Sequence, residues 1–260
     1  MSLIKTPQEI DAMREGGHIL SRALKAAVDS VRPGITLREV DAIGEASMRA
    51  EGATPSFLHY KSSPSDTPFP STICLSVNEE VVHGLGNRDR VLLEGDVLGL
   101  DIGCWYKGLC TDMAMSVYVG SNCPPNISKL LSVTKEALLA GVAAARVGGD
   151  VKDISTAIEK VVTPHKYGNV RALVGHGVGH EVHENPHVPN YVDARYPSVK
   201  LVDGMCLALE PMFGLGGDYR VDTAPDGWAI VMKDGSIGAH FEVTIAITKN
   251  GTEILTPLPV

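Results

Sequence analysis

The hydrophobic positions near the start of the chain recur at the spacing of α-helices, and two capping boxes mark where the helices begin. The first box, Thr6-Pro7-Gln8-Glu9, opens a helix that Arg32-Pro33-Gly34 ends. The second box, Thr36-Leu37-Arg38-Glu39, opens a shorter helix that ends at Gly52. The apolar residues of the two helices are Ile10, Met13, Leu20, Leu24 and Val28, then Val40, Ile43 and Met48. The pattern predicts an N-terminal pair of amphipathic helices.

The second half of the chain repeats the pattern at the start of the second helix. Seven residues have counterparts of the same physical type 114 residues later, and a helix over residues 127–146 precedes those counterparts. Arg32, Gly34, Thr36, Leu37, Arg38, Glu39 and Val40 correspond to Arg146, Gly148, Asp150, Val151, Lys152, Asp153 and Ile154. We interpret this as one βαα-type unit used twice, which predicts a pseudo-two-fold domain.

Six short runs of β-prone residues predict strands around these helices. They are Thr72–Val77, Asp96–Gly103, Asp112–Val119, Met205–Leu209, Trp228–Met232 and His240–Thr248. The second and third flank a hairpin turn at Tyr106-Lys107-Gly108, and the last alternates between apolar and polar residues. We therefore expect an α+β fold in which helices cover one face of an antiparallel sheet and the other face is polar. Residues 1–260 are interpreted as a single domain.

Composition and charge exclude several classes of protein. The net charge of −8 argues against a surface that binds nucleic acid, and no apolar run approaches the roughly 20 residues that a membrane helix needs. The N-terminus, Met1-Ser2-Leu3-Ile4-Lys5, lacks the apolar centre of a signal peptide. The five cysteines contain no CxxC pair, which is typical of reduced thiols. We therefore expect a cytoplasmic protein that binds neither nucleic acid nor membrane.

Two aspartates lie where an apolar strand is predicted. Asp101 interrupts the run Val97–Ile102, and Asp112 begins the partner strand eleven residues later. A hairpin would bring the two carboxylates together, and buried like charges need a cation because each costs several kcal/mol when unpaired. Taken alone, the pair is better explained as strand-end acids that face solvent.

Further candidate ligands come from the second half of the chain. The segment Gly175–Glu184 supplies His176 and His183, whereas His180 and His187 are interpreted as ordinary loop histidines. Glu210 and Glu242 are acids in apolar strand contexts. Each has an ordinary explanation alone, but four acids and one histidine of this kind form an oxygen-rich set that suits Mn²⁺, Fe²⁺, Co²⁺ or Zn²⁺. Two divalent ions would balance the four carboxylates, and a two-metal site indicates hydrolysis.

The order Asp101, Asp112, His176, Glu210, Glu242 resembles the methionine aminopeptidase family and its pita-bread fold. The resemblance covers nearly the whole chain and is closest to the short bacterial type I enzymes. Its other motifs are Ile4–Ile10, Pro33–Thr36, Ile73–Gly84, Phe241–Thr244 and Asn250–Leu255. It implies removal of the initiator methionine from nascent polypeptides whose second residue is small. It also makes the ribosome a candidate partner, and we expect a monomer.

The resemblance further implies a role for each site residue. Asp112 and Glu242 would bridge two metal ions, Asp101 would chelate one, and His176 with Glu210 would hold the other. Glu210 would also act as the general base. His83 would lie near the substrate's amino end, and His183 would donate to the scissile carbonyl. The methionine side chain would occupy a pocket lined by Tyr60, Phe69, Cys74 and Trp228.

Three features depart from the type I pattern. Eight residues, Lys61–Pro68, separate Tyr60 from Phe69, where the family usually has a couple. His240 stands where glutamine is usual, and the motifs around Asp101 and His176 are more similar to prolidase and aminopeptidase P. A proline-specific peptidase of the same fold is therefore one alternative, although those enzymes generally carry an additional N-terminal domain. A non-catalytic binding protein is the other, although such relatives lose metal ligands that are all present here.

Overall fold

A computed structural model describes residues 3–259, so that Met1, Ser2 and Val260 lie outside the described residues, including the first two positions of the N-terminal segment discussed above. The helices are α1 (Pro7–Ser30), α2 (Leu37–Ala50), α3 (Pro125–Ala144) and α4 (Val151–Val162), and a 3₁₀ turn follows at Thr163–His165. Both predicted capping boxes are formed, and Asp150 begins α4 with a third. The predicted helices are therefore confirmed.

Within residues 3–259, fifteen strands accompany the helices. They are β1 (Thr54–Pro55), β2 (Ile73–Val77), β3 (Glu80–Val82), β4 (Val97–Tyr106), β5 (Leu109–Tyr118), β6 (Gly168–Asn169), β7 (Gly175–Gly177), β8 (Glu184–Val188), β9 (Met205–Leu209), β10 (Met212–Gly214), β11 (Val221–Thr223), β12 (Ile230–Met232), β13 (Gly238–His240), β14 (Glu242–Thr248) and β15 (Gly251–Ile254).

Two strand predictions need correction. Asp112 lies inside β5, not at its start, because the hairpin turn is only Lys107-Gly108 and β5 begins at Leu109. The predicted strand over residues 240–248 is divided at Phe241, because His240 pairs with β10 whereas Glu242 pairs with β5. The chain therefore changes from one sheet to another immediately before the candidate ligand Glu242.

Within residues 3–259 the main sheet has nine antiparallel strands, and the loops that precede α2 and α4 repeat one contact. Its central order is β1-β4-β5-β14-β9-β7-β8, with β2 beside β4 and β15 beside β14. The amide of Gly34 donates to Leu92 O at 2.8 Å, and the amide of Gly148 donates to Leu201 O at the same distance. Both glycines have a positive φ, at 92° and 80°, which a side chain would strain. The shared contacts agree with the predicted duplication.

The strands separate an apolar face from a polar one. Leu98, Leu100 and Ile102 pack in a core with α1 and α2, so that Asp101 between them points to the opposite face. Val243, Ile245 and Ile247 pack likewise with α3 and α4, which leaves Glu242 and Thr244 on the other side. The α+β fold with helices over one face of an antiparallel sheet is confirmed, and the polar face carries the candidate site.

Two further expectations concern the cysteines and the membrane. All five cysteines lie within the described residues and are free thiols, as predicted. Across residues 3–259 there is no helix with the length and apolar character needed to cross a bilayer.

Candidate metal centre and substrate cavity

The register of three neighbouring strands brings three carboxylates together. Ala114 of β5 lies opposite Asp101 of β4 on one side and opposite Glu242 of β14 on the other. Asp112 lies two residues from Ala114 and therefore on the same face of β5. Side chains opposite or diagonal across neighbouring strands are close enough to interact. The three acids thus converge on one region of the polar face.

His176 and Glu210 complete the group from the other half of the sheet. His176 of β7 lies opposite Ala208 of β9, and Glu210 directly follows that strand. His176 Nε2 is 3.6 Å from Glu210 Oε1. The other ring nitrogen, Nδ1, is 2.9 Å from Gly177 O. A carbonyl oxygen only accepts, so Nδ1 carries the proton and the lone pair of Nε2 faces the carboxylates, as a metal ligand requires.

The arrangement of donor atoms fits divalent metal ions. Ligand atoms of Asp112, His176 and Glu242 all lie within 4.8 Å of one another. Among the described residues, Asp101 Oδ1, Asp112 Oδ1 and Glu242 Oε1 are buried without a hydrogen-bond partner. Buried polar atoms are normally satisfied, so these oxygens are suited to accept a cation. The roles predicted for the individual residues stay predictions.

Without a cation the site resists ionisation of its acids. Burial raises the pKa of Asp101 to about 7. Burial, reinforced by repulsion from neighbouring carboxylates, raises the pKa values of Asp112, Glu210 and Glu242 well above their ordinary values. Burial lowers the pKa of His176 to about 3, which keeps its imidazole neutral. The site thus combines a neutral nitrogen donor with carboxylates that need positive charge.

An apolar wall with one sulfur lies beside the carboxylates. Cys74 of β2 is directly opposite Asp101 of β4, and burial raises the pKa of its thiol well above the ordinary value. The rings of Phe69 and Trp228 meet edge to face, with centroids 5.3 Å apart. A neutral thiol and two aromatic rings form a surface suited to an apolar, polarisable side chain.

Two histidines lie on the remaining sides of the site. His183 Nδ1 is 2.7 Å from the hydroxyl oxygen of Tyr60, and its ring centroid is 4.5 Å from that of His176. His83 has a φ of 60°, which is rare for a residue with a side chain. Gly84 permits this turn, because a Cβ there would lie 2.3 Å from Leu75 O. Burial lowers the pKa values of both histidines, that of His83 to about 4.

A single cavity of about 190 Å³ joins these groups. All eleven predicted site residues line it: Tyr60, Phe69, Cys74, His83, Asp101, Asp112, His176, His183, Glu210, Trp228 and Glu242. Phe57 and Val82 also line it and were not predicted, and so does Ser62 of the Lys61–Pro68 insertion, which the sequence predicts at the mouth of the pocket. The one signal in the sequence was Gly103, since a glycine inside a strand indicates that another group approaches closely. Gly103 lies opposite Asp112, and a Cβ there would be 2.8 Å from the Phe57 ring. The glycine lets this aromatic residue approach the site.

His240 is a further residue of the site, and in the sequence it is notable only as a departure from the family pattern. It is 2% exposed, and its Nε2 lies 3.6 Å from Glu242 Oε2 and 4.0 Å from Glu210 Oε2. Within residues 3–259 this nitrogen has no hydrogen-bond partner. Burial lowers the pKa of His240 to about 3, so the ring is neutral beside the two carboxylates.

The loop that carries His183 is anchored to the N-terminal segment. Lys5 Nζ lies 2.5 Å from Glu184 Oε2, and the two side chains are only 1% and 7% exposed. The other oxygen of Glu184 accepts from the amide of His180 at 2.6 Å, and the His180 ring lies 2.8 Å from Glu9 Oε1. His187 is exposed, as expected, but His180 is not an ordinary loop residue because it joins this loop to α1.

Comparison with known proteins gives the class to which this site belongs. The sequence profile of metallopeptidase family M24 matches residues 11–249. The chain therefore belongs to metallopeptidase family M24.

Individual relatives narrow the comparison. The methionine aminopeptidase of Clostridium acetobutylicum is 42% identical over 257 residues, which are 98% of this chain and 99% of that one. The crystal structure of methionine aminopeptidase from Thermotoga maritima matches with a TM-score of 0.90 and 39% identity, covering 97% of this chain and 98% of that one. Prolidase from Pyrococcus furiosus matches with a TM-score of 0.77 and 25% identity, covering 99% of this chain but 66% of that one. The resemblance to the methionine aminopeptidase family and the pita-bread fold is confirmed, and family M24 implies the use of divalent metal.

Proposed function

We propose that this protein removes the N-terminal methionine from nascent polypeptides by hydrolysis, preferring Gly, Ala or Ser as the second residue. One observation carries the proposal: the carboxylates share a cavity with an apolar wall that contains a thiol and two aromatic rings. Similarity to methionine aminopeptidases over nearly the full length of both chains supports it.

Two divalent ions are the proposed cofactor, with Co²⁺, Mn²⁺, Fe²⁺ or Zn²⁺ as candidates. Asp112 and Glu242 would bridge the ions, Asp101 would chelate one, and His176 with Glu210 would hold the other. The unpartnered oxygens and the neutral Nε2 of His176 support this donor set. When bound, two such ions lower the pKa of a water molecule and polarise a carbonyl group.

The chain's own residues would then move protons and orient the peptide. Glu210 would take the proton of the attacking water as general base. His183 would donate to the scissile carbonyl oxygen. If the Tyr60 hydroxyl donates to Nδ1 of His183, the ring proton lies on Nε2 and is available for that bond. Desolvation raises the pKa of Tyr60, which keeps the hydroxyl a donor. His83 would lie near the substrate's amino end and scissile amide.

The methionine side chain would lie against Phe69, Cys74 and Trp228, with Tyr60 at the edge of the pocket. An unbranched thioether makes favourable contacts with aromatic rings and with sulfur. The setting we propose is the cytoplasm, where residues 1–260 act as one catalytic domain and as a monomer, with the ribosome as a candidate partner. The negative charge and free thiols agree with that setting.

A peptide assay separates this function from the proline-specific alternative. The purified protein, supplied with each candidate metal in turn, is incubated with Met-Ala-Ser, Met-Leu-Ser and Ala-Pro-Ser peptides. We expect release of methionine from the first, at least tenfold slower release from the second, and no cleavage of the third. Cleavage of the Xaa-Pro bond without release of methionine would transfer the assignment to the proline-specific class, and no cleavage with any metal would favour the non-catalytic alternative.

A further inference from the structure

A second cavity, of about 360 Å³, adjoins the opening of the metal-centre cavity. The two cavities share Tyr60, Ser62 and Trp228, so they form one continuous surface. Lys61 and Asp66 of the insertion line the second cavity on one side, and Asp226 lines it on the other. The cavity therefore exists only because the insertion faces the loop that precedes Trp228.

The second cavity lies on the route by which a bound polypeptide leaves the metal-centre cavity. Of the residues that line the metal-centre cavity, only Tyr60, Ser62, His83, His183 and Trp228 are not buried, so they surround its opening. Three of these five also line the second cavity. A polypeptide whose first residue occupies the inner cavity must cross this rim, and each extended residue advances the chain by about 3.3–3.6 Å.

The insertion is held in place by its own hydrogen bonds. The amide of Phe69 donates to Tyr60 O at 2.9 Å and closes the loop at its base. Within the loop, the amide of Asp66 donates to Ser63 O at 3.0 Å, and the amide of Ser63 donates to Asp66 Oδ2 at 2.8 Å. An ordered loop with this internal turn presents a defined wall to the passing chain.

The carboxylates on the two sides are held in a similar way. Asp226 Oδ1 accepts from the amides of Trp228 and Ala229 at 2.8 and 3.0 Å, so one oxygen fixes the loop. Asp66 likewise uses Oδ2 for its own turn. Each carboxylate keeps a second oxygen that these bonds do not use. Among the described residues that line this cavity, Lys61 is the one cation, and its Nζ donates to Pro64 O. The lining of this cavity therefore has two negative charges against one positive charge, and Arg88, which lies outside the lining, also attracts Asp226.

We propose that this second cavity is a subsite for the third residue of the polypeptide, and that it favours a Lys or Arg side chain over Asp or Glu. The inference rests on the proposed function, because it needs a polypeptide whose N-terminal residue occupies the inner cavity. Exposed charges at the rim of a cavity act mainly on the rate of encounter with substrate and through weak ion pairs. The preference for Lys or Arg is therefore modest and decreases with added salt.

The test compares Met-Ala-Lys-Ser, Met-Ala-Gln-Ser and Met-Ala-Glu-Ser peptides. In the wild type we expect kcat/KM to be roughly five- to tenfold higher for the lysine peptide than for the glutamate peptide, as two exposed charge pairs allow. The Asp66→Asn/Asp226→Asn variant keeps the oxygen acceptors for the loop amides but loses both charges, and the ratio should fall to one or below, because the positive charge of Lys61 remains. The matched control, Asp29→Asn/Asp89→Asn, removes two exposed charges elsewhere and should keep the ratio.

A second variant tests the insertion itself. Replacing Lys61–Pro68 by two residues should abolish the third-residue preference, and change KM or the second-residue preference, while metal binding measured by titration is unchanged. Equal kcat/KM for the lysine and glutamate peptides in the wild type, or a preference that survives both variants, overturns the subsite. Failure to cleave any of the Met-Ala peptides refutes the proposed function as well, so the two failures are distinguishable.

Discussion

The buried ion pair between Lys5 and Glu184 provides the sharpest test of how the fold positions the site. Glu184 follows His183 directly, and its second oxygen holds the amides of His180 and Glu181. Replacing Lys5 by methionine keeps the length and apolar stem of the side chain but removes the charge. The variant leaves a carboxylate that is 7% exposed without its cation. We therefore expect both instability and a displaced His183.

The expected magnitude follows from that burial. Removing one partner of a buried ion pair costs about 3–5 kcal/mol. For a protein of this size that loss corresponds to a fall in Tm of roughly 6–20 °C. The double variant Lys5→Met/Glu184→Gln removes the stranded charge and keeps an oxygen for the amides of His180 and Glu181. It should recover most of the lost stability, because a neutral buried pair avoids the desolvation penalty.

Two measurements check this prediction at fixed metal concentration. Urea unfolding gives the free energy of unfolding, and kinetics with a Met-Ala-Ser peptide give kcat and KM. For Lys5→Met we expect kcat to fall by about tenfold, since a small displacement of a catalytic group is costly. A Lys5→Met variant within about 1 kcal/mol of wild type would contradict the magnitude taken from breaking a buried pair. A double variant as unstable as the single one would show that the stranded charge is not the cause.

The remaining predictions concern the metal centre. For Glu210→Gln, which keeps the shape but cannot accept a proton, kcat should fall by at least about 10²-fold, and a variant within a few-fold of wild type rules out the general base. His183→Ala should lower kcat and kcat/KM together by roughly 10²-fold, whereas a change confined to KM would mean uniform binding of substrate. The affinity for metal should weaken as the pH falls from about 8 to 6, which competition with a chelator of known affinity measures. The reason is that the pKa values of the carboxyl groups are raised, that of Asp101 to about 7, so that protons compete with the metal in this range. An affinity that does not change with pH would contradict this.

Local signals in the sequence accounted for the helices, whereas the six predicted strands correspond to seven of the fifteen strands within residues 3–259. Capping boxes at Thr6 and Thr36 depend on residues three positions apart, so they are readable without the fold. The strand Met205–Leu209 has the bounds that its apolar run predicts. The candidate metal ligands were found because acids in apolar strands conflict with burial, and that conflict is visible in the sequence.

The features that could not be predicted from the sequence depend on pairing between distant segments of the chain. The break at Phe241 arises because His240 and Glu242 pair with different sheets, and no local pattern encodes a choice of partner. Val82 was not predicted because an apolar residue in the sequence is equally compatible with the hydrophobic core and with the wall of a cavity. The contact of Lys5 with Glu184 spans 179 positions, so its role in holding the His183 loop emerges only from the folded chain.

The metal dependence of methionine release is the most direct test of the proposed two-metal hydrolysis. Protein stripped with a chelator is titrated with Mn²⁺ or Co²⁺ while bound metal and the release of methionine from Met-Ala-Ser are both measured. We expect no activity in the stripped protein, recovery on addition of metal, and up to two ions bound per chain, as the two-metal arrangement requires. Full activity in thoroughly stripped protein would contradict it.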